Sequence, residues 1–332
     1  MTTSATGRRQ AALVYNPIKV DEKHLRARVR DLSREAGWEH PAFYPTTVDD
    51  AGQQATSQAL ARDVDVVLVA GGDGTVRAVS EAIAGSAVPL AILPSGTGNL
   101  LARNLGLPLS DPDEMIRAAL GDFRHAIDIG WARLTRADGT HEEHAFVVLA
   151  GIGLDADMIA NTRPDLKKTV GWIAYVDGAA RSLVTAVPFR AVFQIDDGRL
   201  HSTKVHSILF ANCGTLPAGI ALIPDASITD AVLDVAVIQP TGVLGWLGVW
   251  RKIWWDNSVL RRSRAGRRVL ERRGRDASVH YFRGVAAEAA ASAPTPIELD
   301  GDGFGTAVRI TCRVDPRALL LALPADHPVA GL

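Results

Sequence analysis

Two glycine-rich turns hold the residues best suited to chemistry. The apolar run Val66–Ala70 leads into Gly71-Gly72-Asp73-Gly74-Thr75, and Leu90–Leu93 leads through Pro94 into Ser95-Gly96-Thr97-Gly98-Asn99. Each reads as a strand, a tight turn and the start of a helix. A helix start presents unpaired backbone N–H groups and a positive dipole end, which suits phosphate. Glycine lets the backbone approach an anion without a Cβ in the way. Asp73 lies inside the first turn, where a carboxylate would repel phosphate unless a divalent cation came between them, so it points to Mg2+. One such turn is often an ordinary α/β connection; two in succession, one with an acid, favour a nucleotide site. The turns match neither the P-loop pattern nor the dinucleotide fingerprint, since Arg77 stands where the third glycine would be.

Further candidates are acidic. Asp300-Gly301-Asp302 follows the apolar run Ile297–Leu299 and sets two carboxylates two residues apart, suited to a general base but also to a hairpin turn. Asp225, Asp230 and Asp234, with Ser227 and Thr229 between them, have the oxygen-rich character of a hard-cation site. His141-Glu142-Glu143-His144 has its histidines three apart, not four, and reads as a polar strand start rather than a zinc motif. Ser95 is no nucleophile elbow, because Leu93 occupies the first glycine position.

The elements that must position these groups change character along the chain. From Ala11 to Leu120, strands alternate with helices. Ala11–Tyr15, Val64–Ala70 and Pro89–Leu93 are continuous apolar runs, as parallel strands covered on both faces require. Leu25, Val29, Leu32 and Ala36 mark one face of a helix over 23–36, and further helices are expected at 76–84, 99–104 and 113–120. Beyond Ala126 the pattern turns to strands: 127–134 and 144–150 flanking a turn at Ala137-Asp138-Gly139-Thr140, then 189–195, 206–211, 232–238 and 279–282. Helical insertions are expected at about 164–185 and 242–260, and Ala286–Pro296 reads as a surface loop. The expected fold is α/β plus β: a three-layer α/β nucleotide-binding domain over 8–125, with 309–332 packing back on it, and an antiparallel β-sandwich over 126–308 with helical insertions.

Composition bounds the function. The chain has 332 residues, 47% hydrophobic and 22% charged, enough for two globular domains. A formal net charge of −1 argues against nucleic acid as a partner. Two cysteines, Cys213 and Cys312, make no disulfide framework and fit a reducing cytoplasm as buried free thiols. The polar start, with Arg8 and Arg9, is followed by no apolar h-region, so a secretory signal is not expected, and no run of eighteen apolar residues occurs. The segment 246–275 is different. Trp246, Trp250 and Trp254 share a helical face, and ten Lys or Arg lie between Arg251 and Arg275 against Asp256 and Glu271. Tryptophan favours the bilayer interface and clustered arginine attracts anionic headgroups, so this segment is expected to meet an anionic membrane surface. A packed helix followed by a solvated basic loop is the plainer reading.

The ordered set resembles the diacylglycerol kinase catalytic-domain family, the lipid kinases that include bacterial diacylglycerol kinases and sphingosine kinases. It runs from Val14-Tyr15-Asn16-Pro17 through the two glycine turns, then Leu166-Lys167-Lys168 with Gly171 and Ala174-Tyr175, and Pro224-Asp225-Ala226-Ser227 with Asp230 and Leu233-Asp234, to Asp300-Gly301-Asp302. The first turn is shared with NAD kinase and phosphofructokinase-like folds; the ordered set is more specific. The resemblance implies an ATP- and Mg2+-dependent phosphoryl transfer to a lipid alcohol, diacylglycerol above all. It implies a phosphate cradle of Asn16, Thr47, Gly71, Gly72, Asp73, Gly74, Thr75, Gly96 and Thr97, with Thr46 the alternative to Thr47. It implies a catalytic base at Asp302 or Asp300, where the family has Asp-Gly-Glu. It also implies a structural Mg2+ at Asp230, completed by the carbonyls of Ser227 and Val232.

This chain departs from the family in four places. Ala231 replaces a common glycine, Leu100 stands where many relatives have aspartate after the asparagine, and Arg77-Ala78 replaces Asn-Glu. Asp302 is one methylene shorter than the usual glutamate. An NAD kinase-like nucleotide kinase and a nucleotide- or lipid-sensing protein that has lost catalysis therefore stay open. So does oligomeric state, a homodimer included. The expected place is the cytoplasm, at the inner face of the cell membrane.

Overall fold

Ala11–Tyr15 forms β1, buried along its whole length between two helical layers. The computed structural model describes residues 9–153, 188–216, 220–221, 223, 225–239 and 279–328. The chain divides into two units, Met1–Ile129 with Pro316–Leu332, and Gly130–Asp315.

The first unit alternates strand and helix: β1, α1 (Glu22–Glu35), β2 (Ala42–Pro45), α2 (Gln53–Leu60), β3 (Val66–Gly71), α3 (Asp73–Ile83), β4 (Leu90–Pro94), α4 (Leu100–Asn104) and α5 (Pro112–Leu120). The sheet order is β2-β1-β3-β4, all parallel. Leu25, Val29 and Leu32 of α1 are buried, the face that their spacing predicts. Asp21 starts α1 by accepting from the N–H of His24 at 3.0 Å. Asp111 does the same for α5, whose first residue is Pro112. The Arg124 guanidinium donates to the carbonyls of Ala118, Ala119 and Gly121, which closes the C-terminus of α5. Arg28 pairs with Asp113 at 2.6 Å and ties α1 to α5. α2 packs with α3, so helices lie in two layers about the sheet.

The second unit is antiparallel. Its strands are β5 (Arg124–Thr135), β6 (His141–Phe146), β7 (Leu149–Ile152), β8 (Phe189–Ile195), β9 (His201–Val205), β10 (Ser207–Ala211), β11 (Thr215–Leu216), β12 (Ile220–Ala221), β13 (Leu233–Ile238), β14 (Val279–Gly284), β15 (Ala286–Leu299) and β16 (Asp302–Ala322). β5 starts in the first unit and β16 ends there, where Leu321 pairs in parallel with Leu90 of β4. The main path is β14-β13-β10-β7-β15-β16; β8 joins β15 and β9, and β5 joins β6 and β16. Phe146, Ile152, Phe193, Phe210, Val235, Leu299 and Ile310 are among the residues of its core.

The structure corrects two expectations. Ala286–Pro296 is no loop but most of β15, paired with β8 on one side and β16 on the other. Its register shifts between Ala290 and Thr295 and between Pro296 and Glu298. The prolines sit at these irregularities, where a missing N–H costs no ladder bond. Alanine is small enough to alternate into the core, with Ala287 and Ala289 buried. The run 144–150 is not one strand: β6 ends at Phe146 and β7 begins at Leu149. α2 and β9, weakly patterned in sequence, also form. The expected helical insertions at 164–185 and 242–260, the Leu166-Lys167-Lys168, Gly171 and Ala174-Tyr175 motifs, Pro224, and the Trp/Arg segment 246–275 lie outside the described residues.

Candidate active site

Because β1, β2, β3 and β4 are parallel, the turns that follow them fall at one edge of the first unit's sheet. Asn16, Thr47, Gly71 to Thr75, and Gly96 with Thr97 are thereby brought together, at the carboxyl ends where open α/β sheets bind ligands. The N–H of Asn16 donates to the carbonyl of Ala70 at 2.8 Å, and its side-chain oxygen accepts from the N–H of Ile18. Thr46 is buried, its N–H bonded to Tyr15, whereas Thr47 is exposed and its hydroxyl accepts from the N–H of Asp50. The exposed one of the two threonines is thus Thr47. Thr97 is exposed and Thr75 buried.

Asp73 is the first residue of α3, where a carboxylate complements the helix dipole. Its two oxygens also reach the second glycine turn. Oδ2 accepts from the N–H of Asn99 at 3.0 Å and Oδ1 from the N–H of Leu100 at 2.5 Å. One side chain therefore begins one helix and caps α4. Asn99, in left-handed backbone at φ 47°, closes the turn on itself: its amide accepts from the N–H of Gly96 and donates to the carbonyl of Gly96, both at 2.9 Å. The glycines permit this interlock. A Cβ on Gly96 would lie 2.8 Å from Cα of Gly72, one on Gly98 would strike the Asp73 carboxylate, and one on Gly71 would lie 2.6 Å from Cβ of Thr75. Gly72 has open space where a Cβ would stand. Gly71, Gly96 and Gly98 thus serve loop packing, and Gly72 lacks that reason.

Asn99 and Gly98 take part in this interlock and were not among the expected site residues. The signal was present: asparagine tolerates left-handed backbone, and a glycine beside it leaves room for a carboxylate.

Asp300 and Asp302 occupy unlike surroundings. Asp300 and Gly301 both have positive φ, 52° and 93°, and join β15 to β16 as a two-residue turn. The Asp300 side chain turns inward and is 3% exposed. It accepts from the N–H groups of Val147, Val148 and Leu149, each at 2.8 Å, while its own N–H donates to Leu149. This carboxylate holds the break between β6 and β7, which explains why 144–150 is not a single strand. Asn212 adds a bond to the carbonyl of Val147 at 3.0 Å. Asp302, two residues on, is exposed. Cys213, also bonded at this break, has its thiol pushed far up by burial and, secondarily, by the charge of Asp300; Cys312 is likewise buried and free.

The acidic block is a third cluster. Asp230 accepts from the N–H of Val232 at 3.1 Å and pairs with Arg283 at 2.5 Å. Arg283 also reaches Asp234 at 3.1 Å. Burial raises the Asp234 carboxyl above the usual range, and Arg283 only partly offsets this. Ala231 adopts a positive φ, 58°, a conformation that glycine takes more easily. His141–Phe146 is strand β6, with Glu142 paired to Arg136 and the His144 ring 4.8 Å from Phe304. Among the described residues no three His, Cys, Asp or Glu side chains group as metal ligands.

The first unit thus sets two glycine turns, interlocked through Asp73, at one edge of a parallel sheet, and the second unit is antiparallel with an acidic hairpin, an arrangement suited to phosphate chemistry. Comparison with known proteins narrows this. The diacylglycerol kinase catalytic domain matches residues 10–132, and the YegS C-terminal NAD kinase β-sandwich-like domain matches 147–323. The chain belongs to this family of lipid kinases and is a kinase that uses ATP. A Pseudomonas aeruginosa (strain PAO1) protein named "Probable lipid kinase YegS-like" is 32% identical over 96% of this chain and 95% of its own. A Bacillus subtilis (strain 168) protein named "Diacylglycerol kinase" is 27% identical over 73% of this chain and 77% of its own. In fold, the chain resembles a crystal structure of a diacylglycerol kinase from Bacillus anthracis (strain Sterne), with TM-score 0.65 and 18% identity over 97% of this chain and 100% of that one. An Archaeoglobus fulgidus NAD kinase solved with ATP follows at TM-score 0.51 and 11% identity, over 96% and 95%. At these identities the solved structures speak for fold alone. No helix among the described residues is long and apolar enough to cross a membrane.

Proposed function

We propose that the chain transfers the γ-phosphoryl group of ATP to the hydroxyl of diacylglycerol, giving phosphatidic acid and ADP. The observation that carries this reading is the interlock of the two glycine turns through Asp73. It holds the turn Gly71 to Thr75, where α3 starts, against the turn at Gly96 and Thr97 at the sheet edge, and phosphoryl transfer depends chiefly on such positioning. Asn16 and Thr47 complete the surface. Asp302 takes the proton of the lipid hydroxyl, whose oxygen attacks the γ-phosphorus as the bond to the bridging oxygen of ADP breaks. Asp300 is a positioning residue that holds the turn beneath Asp302. The choice of diacylglycerol is supported by the name of the Bacillus subtilis relative.

A carboxylate fixed by two N–H donors, together with phosphate oxygens, is the all-oxygen donor set that Mg2+ favours. Asp73 would hold the ion, which would neutralise phosphate charge. The composition of 246–275 supports an anionic membrane as the place where lipid is met.

The test is turnover with γ-labelled ATP and Mg2+, offered diacylglycerol in mixed micelles, sphingosine, or NAD in separate reactions. Label in diacylglycerol is expected. Label in sphingosine alone overturns the substrate, label in NAD overturns the lipid reading, and no label anywhere marks a chain that has lost catalysis.

A further inference from the structure

The resemblance implies a structural cation at Asp230, and the geometry there does not fit one. A hard cation is held by oxygens and repelled by a fixed positive charge set among them. At Asp230, Oδ1 accepts from the N–H of Val232, and Oδ2 is taken by a cation already, Nη2 of Arg283. The same guanidinium donates through Nε to Oδ1 of Asp234. A divalent ion on Asp230 would stand beside a fixed positive charge.

The arrangement is set by the sheet. Asp234 of β13 and Arg283 of β14 are direct cross-strand partners, so the ladder itself places the guanidinium over the acidic turn. The positive φ of Ala231 turns the chain so that Asp230 reaches the same guanidinium. A planar fork bridging two carboxylates is geometry that arginine makes and lysine does not. The acids in turn hold the Arg283 charge: burial disfavours it, but Asp234 and Asp230 together outweigh this. Oδ2 of Asp234 is buried without a protein partner, but it belongs to a carboxylate that the guanidinium already neutralises through Oδ1.

We infer that Arg283 is the built-in counter-ion of this turn and stands where the family's structural cation is expected, so that the start of β13 and the end of β14 are joined without a divalent ion. Any divalent requirement of the kinase then comes from its nucleotide alone.

The test is the thermal midpoint of the full-length, nucleotide-free protein in chelator and in millimolar Mg2+, with Mn2+ binding followed by equilibrium dialysis. The wild-type midpoint should move by less than about 1 °C, since only a ligand of the folded state shifts it. Arg283→Gln should lower the midpoint in chelator and acquire a rise in Mg2+ that is lost when Asp230→Asn is added. A wild-type rise in Mg2+, or bound Mn2+, that Asp230→Asn abolishes would overturn the inference. So would an Arg283→Gln protein as stable in chelator as the wild type. If Arg283→Gln does not fold, the comparison of wild type with Asp230→Asn decides.

Discussion

The Asp73 carboxylate accepts a 2.5 Å hydrogen bond from the backbone N–H of Leu100, twenty-seven residues along the chain. Residue 100 is a leucine, and only its backbone is needed for this contact. The acid of the first turn thus organises the second.

Asp73→Asn should therefore fold and fail to turn over. The amide retains one oxygen acceptor but sets an N–H2 against a backbone donor. A loss of about 1–3 kcal/mol in stability is expected for the unsatisfied bond, with kcat down by about 100-fold or more as the positioned charge disappears. Melting curves and steady-state kinetics measure the two effects separately. Near-normal Mg2+-dependent turnover would remove Asp73 from the mechanism.

The glycines should separate by role. Gly98→Ala and Gly96→Ala drive a Cβ into Asp73 and Gly72 respectively, and should cost about 1–3 kcal/mol as overpacking does. Gly72→Ala meets nothing within 4 Å, so stability should hold. If backbone approach to phosphate is its function, Gly72→Ala should still raise the KM for ATP. Unchanged KM there would mean that the phosphates lie elsewhere.

Asp300 and Asp302 should part in the same way. Asp300→Asn leaves one of the three N–H donors at Val147, Val148 and Leu149 without an oxygen to accept it, and should lower stability by about 2–3 kcal/mol. Asp302→Asn should leave the melting point alone and abolish turnover, while Asp302→Glu should keep or improve it. Full activity in Asp302→Asn would place the base at another residue.

Stability should fall on mild acidification. Burial lowers the pKa of His206, and burial, then the charges of Arg317 and His327, lower that of His125, both from 6.5. Each is therefore neutral in the fold at a pH where the unfolded chain has taken a proton. Stability is full above about 6.5 and is lost as pH drops toward the folded values. Denaturant melts across this range should show the decline, and His206→Asn should flatten it. A flat profile in the wild type would contradict the assignment.

Neutralising Arg261, Arg262, Arg264, Arg267 and Arg268 should weaken sedimentation with anionic vesicles and spare ATP binding. Each basic residue near such a surface contributes at most about 1 kcal/mol, reduced by salt. Substituting Trp250 and Trp254 should weaken binding even to neutral vesicles. A wild-type protein that sediments with neither would make the segment structural.

Sequence by itself determined what depends on local pattern. Continuous apolar runs can be buried only as strands covered on both faces, so β1, β3 and β4 were legible, and a glycine turn before a helix declares its N–H groups. The stepped positions Leu25, Val29 and Leu32 likewise declared the buried face of α1. Tertiary structure decided what depends on partners far along the chain. The alanine and proline content of β15 suggests a loop until β8 and β16 are present on either side to pair with it. Asp300 and Asp302 are the same residue type two positions apart, and only the inward turn toward Val147, Val148 and Leu149 makes one structural and leaves the other exposed. Arg283 lies forty-nine residues from Asp234. Nothing in its local sequence marks it as a counter-ion, because the charge it meets is brought across by the register of two strands.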